Sequence, residues 1–488
     1  MDKELVEVVN IESEQNDTNS PIDNDTLNLV ETEIETQPPA TTPTPLPKGG
    51  VLAACLIFGV EAFQYNIDDR VLDFGIVDKI EDTGYYVGML AGCYAIAQFF
   101  SSFIFGALAD HFSKRSVVAI SCLGCLVTIL GFGFSVNYTM AIICRTLCGL
   151  FNGNMATARA YMSDITDASN QSIGFSYLGV AWGAGGILGP MIGGFLSRPT
   201  KSFDSLQNLI LFEKFPYALP CLFCALVMVI GLIACVLFMK HVPKQRRPSL
   251  SMEQGDDTKY LTMSTQQKMI RYVKSVYKVL KDEQVVLCAA LYFFCSASDT
   301  MQEELFPLWS IVSTENGGLD LSNVKLGIAN TVMGALCLTQ PIVYPPLASK
   351  IGHLNCFRVG FVLNLLLVFT TQLNLMRVYG GEVVMWIGIV MWCVVRVIVM
   401  LLIFASVSLL VNNSAPVGNS GLINGFSSSA SCFARTIATL SAGPLFSLCA
   451  NNVYLQNVPF IISCGMIPAA ALLMSTRLPP SINTPKTE

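Results

Sequence analysis

The chain has 488 residues, of which 52% are hydrophobic and 13% are charged, against roughly 25% charged residues in soluble domains. Its mean hydropathy of +0.54 is too high for one soluble core of this length, so the composition indicates a membrane protein. The net charge of −6 identifies no partner, because the acidic residues are concentrated near the N-terminus.

The first 47 residues are acidic and end in a stretch rich in proline and threonine. Such a segment has too few apolar side chains to bury a core, so we expect residues 1–47 to form a disordered cytosolic tail. The first apolar run begins at Val51. We therefore expect no cleavable signal peptide.

Apolar segments of membrane-spanning length then follow one another along the chain. A helix needs about 20 apolar residues to cross a bilayer, and we predict about 12 such spans. They lie at 50–68, 84–106, 116–136, 139–161, 172–196, 216–240, 285–311, 323–347, 356–376, 383–410, 420–446 and 457–476. This pattern predicts an all-α membrane protein with an N-terminal half at 48–240, a linker at 241–283, a C-terminal half at 284–476 and a short tail at 477–488.

The charges between the spans predict how the protein is oriented. The turn after the second span contains His111, Lys114 and Arg115, and the linker is also rich in lysine and arginine. Short basic loops remain in the cytosol. We therefore expect the linker and both termini to be cytosolic, and the acidic loop after the first span to lie on the other side.

The turn between the second and third spans, residues 106–115, resembles the signature G-x-x-x-D-R-x-G-R-[RK] of the major facilitator superfamily. Gly106 permits close helix approach, while Asp110 with Lys114 and Arg115 can pair and hold one of two states of a rocking bundle. The stretch departs from the signature at His111, Ser113 and Lys114. The alternative is a turn that is basic only because it is cytosolic.

Two further motifs of that superfamily occur on the fourth and fifth spans. The fourth contains Arg145 followed by glycines at four-residue spacing, Gly149 and Gly153. The fifth is similar to the motif associated with the superfamily's antiporters and contains Gly185, Gly189, Pro190, Gly193 and Gly194. Glycines allow tight packing of helices, and proline bends a helix by removing a backbone donor.

Longer stretches resemble the plant zinc-induced facilitator-like transporters. They are Ala181-Trp182-Gly183, Gly189–Pro199, Phe215–Leu222, Glu304–Trp309, Gly317–Leu319, Asn412–Pro416 and Asn424-Gly425. The resemblance extends from about residue 50 to 476. It implies a proton-coupled carrier in a vacuolar, other endomembrane or plasma membrane, with metal chelators, potassium or organic anions as cargo. That family carries a cysteine motif before the first span and a histidine-rich linker. Here the first cysteine is Cys55 and the linker's one histidine is His241, which argues against zinc itself as a ligand.

Acidic residues within the spans are candidates for proton coupling, because the pKa of a carboxyl group changes when it moves between water and a dry cavity. Span 7 holds Asp299 and Glu303, which share a helix face, and Glu304, which is turned about 100° from Glu303. Glu304 also matches an acid of the family pattern and is our first candidate, together with Asp299 and with Glu61 of span 1. Glu303 is interpreted either as a cavity residue or as an exposed acid at the helix end.

Arginines within the spans are candidates for binding an anionic cargo or for balancing those acids. A charge at bilayer depth generally faces a partner or a water-filled cavity. Arg145 and Arg396 each interrupt a long apolar segment, and the family carries basic residues where Arg396 and Arg435 lie. We predict these three arginines as substrate or counter-ion residues. For Arg159, the nearby Asp164 favours a structural ion pair.

The sequence thus predicts a secondary active transporter that works by alternating access between two six-helix halves. The interpretation is proton-coupled antiport of a small polar or anionic solute, of the metal-chelator or organic-anion class. A uniporter or symporter of the same fold is the nearest alternative, and a non-transporting receptor or scaffold is more distant. Three histidines, with no metal-ligand cluster and no phosphate-binding loop, argue against an enzyme. We expect a solute, protons and the bilayer as partners, a monomeric transport unit, and no cofactor, metal or nucleic acid.

Overall fold

The regular elements of the computed structural model are helical throughout the residues that it describes. Those are 45–65, 80–167, 169–196, 210–215, 217–239, 274, 276–416, 419–450 and 455–484. The first half contains α1 (Lys48–Tyr65), α2 (Ile80–His111), α3 (Lys114–Gly133), α4 (Tyr138–Phe151), α5 (Asn154–Ile165), α6 (Gln171–Leu196), α7 (Ile210–Lys214) and α8 (Ala218–Phe238). The predictions for the acidic tail before residue 45 and for most of the linker lie outside the described residues.

The second half begins after the linker. It contains α9 (Glu283–Ser310), α10 (Asn323–Cys337), α11 (Gln340–Ile351), α12 (His353–Asn364), α13 (Leu373–Ser414), α14 (Ser420–Ala450), α15 (Asn457–Ile461) and α16 (Ile467–Ser475). Short 3₁₀ segments lie at Thr314–Asn316, Leu365–Gln372 and Pro480–Asn483, and a π-helical turn lies at Ile462–Met466.

Helices of membrane-spanning length dominate this architecture. Among the described residues, seven helices are long and apolar enough to cross a membrane, or eight if the bent pair α10–α11 is one span. Each predicted span has a helical counterpart, including the shorter apolar helix at the start of α1. The prediction of an all-α membrane protein is confirmed.

Several helices begin at a side chain that caps them. The Asn137 side chain accepts a hydrogen bond from Met140 N at 2.8 Å at the start of α4, and Asp282 does the same for Gln284 N at 2.8 Å at the start of α9. Such caps satisfy backbone donors that have no partner within the helix. They fix where the two spans enter the bundle.

Two predicted spans, the fourth and the eighth, break or bend sharply, and a third break lies between two spans. The fourth was predicted as one helix but breaks at Asn152 and Gly153 into α4 and α5. The eighth bends by 51° between α10 and α11. Gly381 lies within α13 but between the ninth and tenth predicted spans, and its φ of 75° breaks the helical path there. These breaks matter because they change which side chains face the centre of the molecule.

The two halves meet along two main seams. In the first, α2 packs along α14, and in the second, α6 packs against α10, α11 and α13. The α2–α14 seam is closest at Gly106, where an added Cβ would lie 2.6 Å from the Cα of Gly425. Two facing glycines therefore allow the backbones to touch at this point.

The C-terminal segment packs onto its own half. Leu478 and Ile482 are buried, and Asn413 Nδ2 donates to the carbonyl of Ile482 at 3.0 Å. The Asn483 Oδ1 atom accepts a hydrogen bond from Leu354 N at 2.9 Å, at the start of α12. Part of the segment predicted as a tail thus belongs to the folded second half.

Candidate functional site

A cavity of about 750 Å³ lies between the two halves. Helices α1, α5 and α6 line it from the first half, and α9, α10, α11, α13 and α14 line it from the second. The lining combines aromatic rings with three carboxylates and three guanidinium groups. Because both halves contribute, a change in their relative position would change the shape of the cavity and access to it.

The charged centre of the cavity is the pair of Asp299 on α9 and Arg396 on α13. Arg396 Nη2 forms an ion pair with Asp299 Oδ1, and it also donates to the backbone carbonyl of Asp299 at 3.3 Å. Both side chains are buried. Each charge offsets the desolvation of the other, so the loss of one partner would leave a buried uncompensated ion.

A polar cluster lies behind this pair, within the second half. Ser298 Oγ donates to the carbonyl of Ser463 in the π-helical turn at 2.6 Å and accepts from Gln302 Nε2 at 2.9 Å and Asn364 Nδ2 at 3.1 Å. A second, small cavity of about 10 Å³ borders these groups and Arg396. It has room for about one water molecule. The cluster holds the helix turn that carries Asp299.

Two further acids of α9 face the same cavity. The side chain of Glu303 is exposed to the cavity, and Glu304 is half-buried. Thr439 Oγ1 donates to Glu304 Oε1 at 3.3 Å. Of the two interpretations of Glu303, the structure therefore favours the cavity residue. One segment of α9 presents three carboxyl groups to one space.

Arg435 lies on the wall formed by α14. Its Nη2 atom donates to Gln98 Oε1 of α2 and to Cys432 Sγ, both at 3.4 Å. Its guanidinium group lies 5.7 Å from the ring centroid of Trp182 on α6. Arg435 therefore lines the cavity and contacts residues of both seams, and its role as a substrate or counter-ion residue stays a prediction.

Arg159 was assigned to an ion pair with Asp164, and that prediction is wrong. Asp164 instead pairs with Lys114, whose Nζ lies 2.6 Å from Asp164 Oδ2. The break before α5 turns Arg159 into the cavity, where it donates to the hydroxyl of Tyr292. The Asn152-Gly153 pair was the sequence signal for this break.

The prediction that Arg145 faces the cavity is also wrong. Its guanidinium group packs over the ring of Tyr94 at 4.4 Å and lies 5.9 Å from the ring of Phe132, inside the first half. Helix α4 packs between α2 and α3, so the side chain faces their aromatic rings and does not reach the cavity lining. Cation–π attraction stabilises the buried charge there.

The predicted motif at the α2–α3 turn connects the halves at one end of the bundle. Asp110 accepts hydrogen bonds from the backbone nitrogens of Gly421 at 2.7 Å and Leu422 at 2.6 Å. Lys114 donates to Ser420 Oγ at 3.3 Å, in addition to its pair with Asp164. We call this set of contacts the interhalf clasp. The carboxylate stabilises the positive end of α14. Arg115 lies outside it, and its carbonyl accepts from Cys235 Sγ at 3.7 Å.

The lining of the cavity is buried toward the clasp and more exposed toward the other end. Arg159 and Tyr292, at the clasp end, are 3% and 1% exposed, whereas Ile328 of α10 is 49% exposed and Glu303 is also exposed. Tyr292 and Glu303 are separated by about 16 Å along α9. Within the described residues, the contacts of the clasp therefore lie nearest to the buried end of the cavity.

The remaining predicted residues are helical. Gly149 lies in α4 and packs against α2, while Gly153 lies at the break and packs against Phe105. Gly185 and Gly189 are buried in α6, which continues through Pro190, Gly193 and Gly194 to Leu196. The predicted bend at Pro190 does not interrupt this helix. Glu61 lies on α1, but its side chain falls outside the described part of the structure.

A helical bundle in two halves, closed by a clasp at one end and enclosing a charged cavity, defines the class of membrane solute carriers. The comparison with protein families agrees with this class. The family model described as Major Facilitator Superfamily matches residues 53–439, and the chain belongs to that superfamily. It is a transporter and not an enzyme.

Similarity to individual proteins is more distant. The chain is 26% identical over 384 residues to Protein ZINC INDUCED FACILITATOR 1 of Arabidopsis thaliana, covering 77% of this chain and 78% of that protein. It is 26% identical over 407 residues to Protein ZINC INDUCED FACILITATOR-LIKE 1 of the same plant, with 81% and 82% covered. The crystal structure of the human organic anion transporter MFSD10 (TETRAN) matches with a TM-score of 0.59 and 15% identity, covering 88% of this chain and 100% of that chain. The predicted resemblance and fold are confirmed.

Proposed function

We propose that this protein is a secondary active transporter that exchanges a small polar or anionic solute for protons by alternating access. The observation that carries the proposal is the cavity between the halves, which holds three carboxyl groups on one segment of α9. Carboxyl groups in a cavity that closes and reopens change their proton affinity with solvation and with nearby charge. That is the physical requirement for coupling.

Antiport follows if cargo and proton compete for the same group. Glu303 is exposed to the cavity and Glu304 accepts only the single hydrogen bond from Thr439 within the described structure. A cargo that donates hydrogen bonds to these carboxylates binds when they are ionised and is released when they are protonated. The glycine-rich motif of α6 is similar to that of antiporters and also supports antiport.

Symport is a second candidate, and the Asp299–Arg396 pair favours it. Protonation of Asp299 would remove its charge and leave Arg396 available to an anion. In that case proton binding promotes the binding of an anionic cargo, and both cross together. The two candidates therefore predict opposite directions of proton flow for one cargo.

The orientation of the protein is also a proposal. The clasp lies beside the basic turn that contains Lys114 and Arg115, and basic turns remain in the cytosol. We therefore place the clasp and both termini at the cytosolic face and the accessible end of the cavity at the outer or lumenal face. A vacuolar, other endomembrane or plasma membrane location and a monomeric transport unit complete the proposal.

A transport assay with purified protein in liposomes tests the proposed proton-coupled exchange. The liposomes would contain a pH-sensitive dye and carry a proton gradient, and metal chelators, organic anions, monovalent cations and amines would be added in turn. We expect a cargo-dependent proton movement opposite to that of the cargo. Glu304→Gln should reduce this movement to the level of protein-free liposomes.

Glu382→Gln is the matched control, because Glu382 is an exposed acid that pairs with Lys325 away from the cavity lining. It should transport as the wild type does. Proton movement in the same direction as the cargo would contradict antiport and support symport. Cargo flux without proton movement would contradict coupling, and no flux of any class from folded protein would contradict the transport proposal.

A further inference from the structure

The clasp end of the cavity contains a buried cation, Arg159, that has no acidic partner among the described residues. Arg159 is 3% exposed, and in the part of the chain that the structure describes no carboxylate oxygen lies within 4.0 Å of it. Its hydrogen-bond acceptors are two hydroxyl groups, those of Tyr292 and, at 3.5 Å, Ser428. A buried guanidinium group with only neutral partners is poorly compensated for the water that it has lost.

Arg396, the arginine at the centre of the cavity, differs from Arg159 in this respect. Arg396 is balanced by Asp299. Arg159 belongs to the other half of the molecule and lies where cargo would reach the closed end of the cavity. The fork of a guanidinium group matches a carboxylate in geometry and charge. The hydroxyl groups of Tyr292 and Ser428 can each donate their own hydrogen to the same anion.

The surroundings of Arg159 are aromatic. Its guanidinium carbon lies 4.7 Å from the ring centroid of Tyr292 and 5.6 Å from that of Phe58. Phe58 meets Trp182 edge to face at 5.8 Å, and Tyr292 meets Phe404 at 6.3 Å in the same manner. A ligand that reaches Arg159 therefore packs its body between rings.

The opposite end of the cavity has the opposite charge. Glu303 and Glu304 lie about 16 to 18 Å along α9 from Tyr292. A second carboxylate at that end of a long ligand would meet two acids of like sign. The cavity therefore distinguishes ligands with one anionic end from ligands with two.

We propose that Arg159 is the anchor for the carboxylate of an amphipathic organic monoanion with an aromatic or apolar body. Tyr292 and Ser428 complete the anion site, and Phe58, Trp182 and Phe404 hold the body. The inference rests on the proposed function in taking this cavity as the cargo site. It names the cargo class and assigns the anchor to a residue other than the predicted arginines.

Equilibrium binding of naphthoate to the purified full chain in detergent tests the anchor, because it needs no gradient and no coupling. Naphthamide has the same body without the charge. We expect wild-type protein to bind naphthoate more tightly than naphthamide, and Arg159→Gln to weaken naphthoate by about tenfold or more while naphthamide changes little.

Arg377→Gln is the control, because Arg377 pairs with Asp320 outside the cavity lining. If Arg159→Gln does not fold, Arg159→Lys is the second test, because lysine keeps the charge but lacks the fork of the guanidinium group. Weaker binding of naphthoate with unchanged binding of naphthamide would then support Arg159 as the anchor. Equal affinity for the acid and the amide in wild-type protein, or naphthoate binding unaffected by the Arg159 variants, would overturn it. Binding without proton-coupled flux would leave the anchor standing and contradict only the proposed coupling.

Discussion

The two halves contain corresponding helix turns, α2–α3 and α11–α12, that make different contacts. At the first, Asp110 and Lys114 reach across to the start of α14 in the other half. At the second, the start of α12 is bound by Asn483 of its own half, and His353 Nδ1 lies 3.0 Å from the hydroxyl of Tyr344. One turn makes bonds that must break when the halves separate, while the other makes bonds that remain within a rigid half. The asymmetry predicts that a relative movement of the halves changes the contacts of the clasp and leaves those of the other turn unchanged.

Among substitutions at these two turns, Gly106→Leu should have the largest effect on the contacts between the halves. A side chain at this position meets the backbone of Gly421 and Gly425, so the α2–α14 seam cannot close. We expect the free energy that stabilises the closed clasp to fall by about 3 kcal/mol. Hydrogen-exchange mass spectrometry should show strongly faster exchange of the Gly421 and Leu422 amides. Unchanged protection of these amides would contradict the close approach.

Asp110→Asn should have the next largest effect. It removes a charged acceptor from two backbone amides and from the positive end of α14. We expect the clasp to weaken by about 2 kcal/mol, which corresponds to about 30-fold faster exchange at Gly421 and Leu422. The Leu354 amide at the other turn serves as internal control and should keep its rate. Equal acceleration at both turns would mean that the halves are not independent.

Gly352→Ala should disturb the other turn. Gly352 has a φ of 80° and a ψ of 159°, a conformation that residues with a side chain rarely adopt, and an added Cβ would lie 3.0 Å from the Asn483 side chain. We expect the free energy of unfolding to fall by about 1 to 2 kcal/mol. Exchange should rise at Leu354 and remain unchanged at Leu422. A change at Leu422 instead would reverse the assignment of roles.

Asn483→Ala should have the smallest effect. It removes the one side-chain acceptor of the Leu354 amide. We expect a loss of about 1 kcal/mol, or about fivefold faster exchange at Leu354. Asn483→Asp retains the acceptor and should retain protection. Transport by Asn483→Ala should equal that of the wild type, and a transport defect would show that this turn also takes part in switching.

The sequence predicted the fold and much of the site, because the strongest signals were local. Long apolar runs predicted the spans, and charges within them drew attention to Asp299, Glu304, Arg396 and Arg435, which all line the cavity. The direction in which a side chain points depends on helix rotation, which composition does not specify. This is why Arg145 was placed in the cavity and Arg159 was not.

The sequence could not predict the long-range contacts, for a different reason. The partner of Asp110 lies 311 residues away at Gly421, and that of Asp299 lies 97 residues away at Arg396. A motif shows that an acid is present but not which helix end it will meet. The apposition of Gly106 with Gly425 depends on how the two halves pack, and each glycine taken alone predicts only a thin helix.

The contact between Asn483 and Leu354 has a consequence for how the protein is made. The two residues are 129 positions apart in the sequence. At typical elongation rates, roughly 10 seconds separate their synthesis. Helix α12 is therefore synthesised before the side chain that accepts from its first turn, and this contact forms only after at least 129 further residues have been made.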